Sequence, residues 1–276
     1  MKLRLLGSIG GVASLWWGAA PAAGQTVNAE ALSKNAFEPG FGGSVTSSLA
    51  LSQGNISLLD VSGSLTLQYL TLHEQSEKEK QAQRLPFLKH RGLFVTNARN
   101  AERDDSTFFN QAFAHLRYTG MFNPRIGPDI FAQYQFNEFL RINTRFVAGG
   151  GPRVEVVHEP TFQVSLATTY MFEFEQLDEE FGTTDDLETT AHRSNNYFVT
   201  RVSALDDTVL IQHTVYYQPR FDRWRDYRIL NDIEVDIVVK EWLTVGGSLS
   251  ERYDSRPPTN VSPLDLRLSS NAKIVF

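Results

Sequence analysis

The sequence predicts an all-β fold, an antiparallel transmembrane β-barrel of about twelve strands over residues 40–276. Three observations predict it. Apolar and polar residues alternate with a period of two through most of the chain, the spacing of strands rather than the 3.6 of helices. The alternating runs reach roughly eleven to thirteen residues, where a soluble strand has about five or six and a tilted membrane strand needs about nine to eleven. The final run ends on an aromatic residue, Phe276.

Composition narrows the function classes. The 276 residues are 41% hydrophobic and 21% charged, which suits a folded chain, and there is no cysteine to build disulfides, thiolate metal sites or a thiol nucleophile. The net charge of −6 is opposite to that of a typical nucleic-acid binder, so no nucleic-acid partner is expected. A mean hydropathy of −0.27 is too polar for a bundle of membrane helices, but a barrel shows lipid only every second residue.

Taken in order, residues 1–24 open with Lys2 and Arg4, continue without charge, and place Ala22 and Gly24 before Gln25. This is the pattern of a cleaved export signal, and its glycines and Pro21 make a poor membrane anchor. Residues 25–39 are expected to be a periplasmic linker. Strands are expected near 40–51, 56–71, 88–98, 107–119, 128–137, 139–151, 161–175, 195–205, 208–218, 227–239, 242–254 and 264–276. In the second, Leu59, Val61, Leu65, Leu67 and Tyr69 alternate with Asp60, Ser62, Ser64, Thr66 and Gln68. In the seventh, Phe162, Val164, Leu166, Tyr170, Phe172 and Phe174 alternate with Gln163, Ser165, Thr169, Glu173 and Glu175. Asp206–Asp207 and Lys240–Glu241 mark tight turns. Residues 153–157 are joined to the sixth strand across a kink at Gly149–Gly151, because a thirteenth strand would place the two chain ends on opposite sides of the membrane.

Which face is buried separates a soluble barrel from a membrane barrel. Mid-strand charges (Arg141, Arg145, Asp232, Glu234 and Asp236) are candidates for a polar lumen, as a narrow solute path or as a closed ion-pair network. Tyr69, Tyr118, Tyr170, Trp242 and Tyr253 end apolar faces where an interfacial girdle would lie, although a soluble core would also hold aromatics.

Several stretches resemble the family of salt-induced outer-membrane proteins, a domain family without assigned function. They are Gly40–Gly43, Ser52–Asn55 (SQGN), Phe131–Gln135 (FAQYQ), Arg145–Arg153 (RFVAGGGPR), Tyr170–Glu175 (YMFEFE) and, most specifically, Tyr253–Pro258 (YDSRPP) followed by Asp265. The resemblance implies an outer-membrane barrel of a Gram-negative envelope and brings no catalytic residues. A terminal aromatic such as Phe276 resembles the signal read by the barrel-assembly machinery.

Two charged stretches remain. Glu173–Glu188 holds eight acids and no base, and its centre is expected to be an outer loop, either solvated or binding divalent cations that bridge lipopolysaccharide phosphates. Arg220, Arg223, Arg225 and Arg228 are interleaved with Phe221, Trp224 and Tyr227, and are candidates for phosphate contacts to lipopolysaccharide. The bland alternative is that the two loops pair with each other. The six histidines show no metal spacing, so no metal, cofactor or catalytic residue is assigned. The expected molecule is a monomeric outer-membrane barrel, a narrow passive channel or envelope structural protein rather than an enzyme. Its partners would be bilayer and lipopolysaccharide. A lipid-modifying enzyme and a secreted, soluble ligand-binding barrel are the alternatives.

Overall fold

The computed structural model describes residues 39–274, apart from 54–56, 78–80, 83, 105, 180–182 and 241. The expected export signal, nearly all of the linker and Phe276 therefore lie outside the described residues.

The chain forms one antiparallel sheet of twelve strands in sequence order, so each strand pairs with its neighbours in the chain. The strands are β1 (Gly40–Ser52), β2 (Leu58–Leu72), β3 (Leu88–Arg103), β4 (Ser106–Gly120), β5 (Ile126–Asn137), β6 (Ile142–His158), β7 (Phe162–Leu177), β8 (Glu188–Ala204), β9 (Val209–Pro219), β10 (Tyr227–Lys240), β11 (Leu243–Asp254) and β12 (Leu264–Ile274). The β1–β2, β3–β4, β5–β6, β7–β8, β9–β10 and β11–β12 connections lie at one end, here the upper end, and the other five at the lower end. Strand count and boundaries follow the alternation closely. The chief difference is β8, which begins at Glu188 rather than near 195.

The sheet curls, because side chains of strands that are not neighbours meet on one face. Tyr197 of β8 donates to Asp129 of β5 at 2.9 Å, and Arg228 of β10 donates to Glu173 of β7 at 2.5 Å.

The two faces have inverted polarity. On β7 the inward residues Ser165, Thr169, Glu173 and Glu175 are buried, while Leu166 is 43% and Tyr170 48% exposed on the outside. On β12 Leu264, Leu266 and Leu268 face outward and Leu268 is 81% exposed. The largest set of buried residues is polar or charged, including Arg117, Asp129, Arg145, Arg153, Glu173, Arg193 and Arg228. A water-soluble sandwich would be arranged the other way round.

Residues 153–157 belong to β6 together with Gly149–Gly151, and the strand keeps its register with β5 through the glycines, with Phe131 opposite Gly149 and Asp129 opposite Gly151. The glycines are needed because β7 passes unusually close: a Cβ at Gly149 would lie 2.2 Å from the Tyr170 carbonyl oxygen, and one at Gly151 2.3 Å from that of Thr168. Gly149→Ala is expected to cost about 1–3 kcal/mol through forced separation of β6 and β7. Urea unfolding of the folded protein in detergent would read this as a lowered midpoint.

Candidate functional site

The curled sheet encloses an inward face with two ion-pair networks and one sparsely filled wall. The lower network is built on β4, β5, β6 and β8, where strand parity aims Arg117, Thr119, Asp129, Arg153 and Tyr197 at one another. Arg117 grips Asp129 with two parallel hydrogen bonds of 2.8 and 2.7 Å, and the Thr119 hydroxyl adds a third at 2.8 Å. Tyr197 reaches Asp129 across the interior, and its ring stacks beneath the Arg117 guanidinium at 4.9 Å. Arg153 donates to the Tyr197 hydroxyl at 3.1 Å, to Glu155 at 2.8 Å and to Ser165 at 3.1 Å. Asp129 is fully enclosed. A carboxylate held by a bidentate arginine and two hydroxyls can remain charged without water.

The upper network centres on Glu173. Arg228 donates to it at 2.5 Å and Arg193 at 3.3 Å, while Arg228 also holds Asp254 at 2.7 Å. Arg145 donates to Glu175 at 2.5 Å, and Arg193 meets Asp226 at 3.1 Å. Five strands, β6, β7, β8, β10 and β11, are thus joined by charge across the interior.

The third feature is the wall formed by β10–β12 and β1–β3. On β1, β2, β11 and β12 several inward side chains are small hydroxyls, paired as Thr46–Ser64 at 2.5 Å, Ser48–Ser62 at 2.8 Å and Ser248–Ser269 at 2.7 Å, while larger buried groups such as Arg91, Leu93 and Arg252 share the same wall. Asp60 is held by Arg99 at 2.6 Å within the same wall, and Asp232, Glu234 and Asp236 face inward from β10. Small residues fill less of the interior than the arginines opposite.

Most expected lumen charges face inward, but Arg141 does not sit in mid-strand. It occupies the turn between β5 and β6 with a positive φ of 56°. From there it bonds Asp185 at 2.5 Å and the carbonyl of Thr259 at 3.0 Å, stapling the β7–β8 and β11–β12 connections together. Desolvation opposes the charged form of Asp185, but hydrogen bonds from Arg141 and from the Thr259 hydroxyl and amide outweigh it and hold the carboxyl below its usual range. A carboxyl with a lowered folded value adds stability that is present above its unfolded value near ~4 and lost as pH falls through the lower folded one. Protease sensitivity of the upper loops is therefore expected to stay low through the ordinary carboxylate range and to rise only below it. Asp185→Asn should bring the rise to neutral pH.

Of the four loop arginines, only Arg223 and Arg225 are exposed as a phosphate contact requires, beside Trp224. Arg228 is buried on β10 within the upper network, which removes it from the outer surface. Arg220 folds back on Asp222 at 2.8 Å and Asp226 at 3.5 Å. The acid run divides similarly: Glu173 and Glu175 belong to β7 and point inward, leaving a shorter loop whose Asp185 meets Arg141 rather than the arginine-rich loop. The alternation of the seventh strand already places the two glutamates in the polar series that runs from Gln163.

The histidines are dispersed. His115 Nδ1 meets Gln133 at 3.1 Å beside Phe131, His90 pairs with Tyr118 at 2.9 Å, and His158 stacks on Phe87 at 4.1 Å. Among the described residues no three metal-ligating side chains gather.

Residues 45–276 match the family described as "Protein of unknown function, DUF481", and the chain belongs to that family. No curated protein matches. The fold is similar to a solved structure described as "NanC porin structure in rhombohedral crystal form", at a TM-score of 0.41 and 8% identity over 86% of this chain and 98% of that one.

Proposed function

We propose that β12 closes against β1 and that the chain is an outer-membrane β-barrel, a narrow passive channel without catalytic role or cofactor. The observation that carries this reading is the inverted polarity: ion pairs inside, leucine and aromatic side chains outside. Girdle residues support it, since Tyr69, Tyr118 and Tyr170 stand exposed on the outer face and Trp242 is exposed in the β10–β11 turn. Lipid and lipopolysaccharide surround the barrel, Arg223 and Arg225 are placed for phosphate, and the assembly machinery inserts it. The two networks fill the β4–β8 side and reach β10 and β11 at the upper end, so the solute path follows the hydroxyls of β1, β2, β11 and β12 past Asp232, Glu234 and Asp236 and favours small cations. The resemblance to salt-induced outer-membrane proteins supports measuring abundance under raised salt.

The test begins with envelope fractionation and gel mobility of unboiled, detergent-extracted protein. Recovery in the outer membrane with a shift on boiling is expected; a soluble protein without a shift overturns the barrel. Planar-bilayer recordings should then show small, cation-favouring conductance. Silence in bilayers would overturn the channel and leave an envelope structural protein.

A further inference from the structure

The outer face carries a polar row where hydrocarbon should lie. Tyr217, Tyr227 and Tyr253 form a continuous aromatic row at the top of β9–β11, with ring centres 5.7 and 5.8 Å apart. Below it, on the same outward parity, His213 Nε2 meets Asn231 Oδ1 at 2.8 Å and Asn231 Nδ2 donates to Glu251 at 3.1 Å. Thr200 of β8 stands directly opposite His213, and its hydroxyl, though enclosed, has no hydrogen-bond partner. The row thus crosses four adjacent strands, which is about 15 Å at the usual strand spacing. Apolar residues lie on both sides of it: Ile229 and Val215 above, Ile233, Val235 and Ile237 below. Among the described residues, Glu251 is the one carboxylate that a strand carries outward away from its ends.

In hydrocarbon such groups are costly unless something polar covers them. The bare acid disfavours anionic lipid as that cover. All copies of a barrel enter the membrane in one orientation, so two copies can meet only about an axis along the membrane normal, which brings equal depths face to face. A surface that meets itself must carry both donors and acceptors at one depth. This row does: the Thr200 hydroxyl and the remaining Asn231 N–H can donate, and the second Glu251 oxygen and the His213 ring can accept. We propose that the outward face of β8–β11 is a contact with a second copy of this chain, sealed by the Thr200–His213–Asn231–Glu251 row. The sequence reading expected a monomer; the row is what argues for two copies. The inference rests on the membrane-barrel reading.

The chain has no cysteine, which makes single-cysteine cross-linking unambiguous. Ile233→Cys, next below Asn231 on β10 and opposite His213, should form disulfide-linked dimers on oxidation in native outer membranes, at severalfold the yield of Val45→Cys on β1. Adding Asn231→Leu to Ile233→Cys should reduce the yield to that of Val45→Cys, while the unboiled monomer band keeps its heat-modifiable mobility. Equal yields at 233 and 45, or dimers that survive Asn231→Leu, would overturn the contact. Monomers that co-purify with bound lipid would do so in favour of a lipid cover. A protein absent from the membrane fraction would instead fail the barrel reading, so the two failures are distinguishable.

Discussion

Replacing Glu173 with glutamine should be among the most damaging single changes in this protein, lowering stability by about 3–5 kcal/mol. The side chain is only 3% exposed and accepts hydrogen bonds from both Arg193 and Arg228. The amide keeps the volume and removes the charge. Arg228 still has Asp254 at 2.7 Å and Arg193 still has Asp226 at 3.1 Å, but two guanidiniums that shared one carboxylate now face each other across a space with little water. Like charges in such a space repel far more than at a surface. The measurement is the urea midpoint of unfolding in lipid vesicles, or the temperature at which the folded gel band disappears. Glu173→Gln combined with Arg193→Met, which removes one charge of each sign, should recover a large part of the loss. A single variant of wild-type stability would show that the network contributes nothing, and that outcome would sink the argument for a charge-braced interior.

The second large effect separates the environments of the two faces. Leu166→Arg puts a guanidinium on the outer face of β7, between Val154 of β6 and Phe198 of β8. If that face meets hydrocarbon, the cost is about 2–4 kcal/mol near the middle of the bilayer. On a water-facing sheet, a leucine already 43% exposed would tolerate arginine with a change of about half a kcal/mol or less. Refolding into vesicles, followed by the same urea titration, reads the difference. A neutral result would return the protein to water.

The strands were legible because each is constrained twice, by pairing and by the different surroundings of its two faces. Leu59–Tyr69 and Phe162–Phe174 alternate because one face of the sheet is polar and enclosed and the other is apolar and exposed. Where one face loses that character, the signal fades. The upper part of β8, from Glu188 to Ser194, carries Glu188, Thr190, His192 and Ser194 outward, and so reads as loop although it is paired to Gln176 through Tyr170. That segment projects above the tops of β9 and β10, where nothing apolar is required. The interior was harder to read. Parity places Arg117, Asp129 and Tyr197 on the inward side, but nothing in their spacing says that β8 will meet β5 across the lumen. That meeting depends on how the whole sheet curls. Arg228 was hidden for another reason. Its neighbours Arg223, Trp224 and Arg225 make a surface-like composition, and a strand begins inside it at Tyr227.

The uneven filling of the interior also bears on how the protein comes apart. Strands β4–β8, with β10 and β11, are tied to one another by buried charges, whereas the side chains of β1 are largely exposed and the hydroxyl pairs of β1, β2, β11 and β12 are local to each hairpin. Opening free energies follow such differences in cross-bracing. Hydrogen–deuterium exchange should therefore divide the molecule into two cooperative units. Amides of β5–β8 would exchange together and slowest, and those of β1 and β12 would exchange first, so that the first and last strands of the sheet come away before the rest.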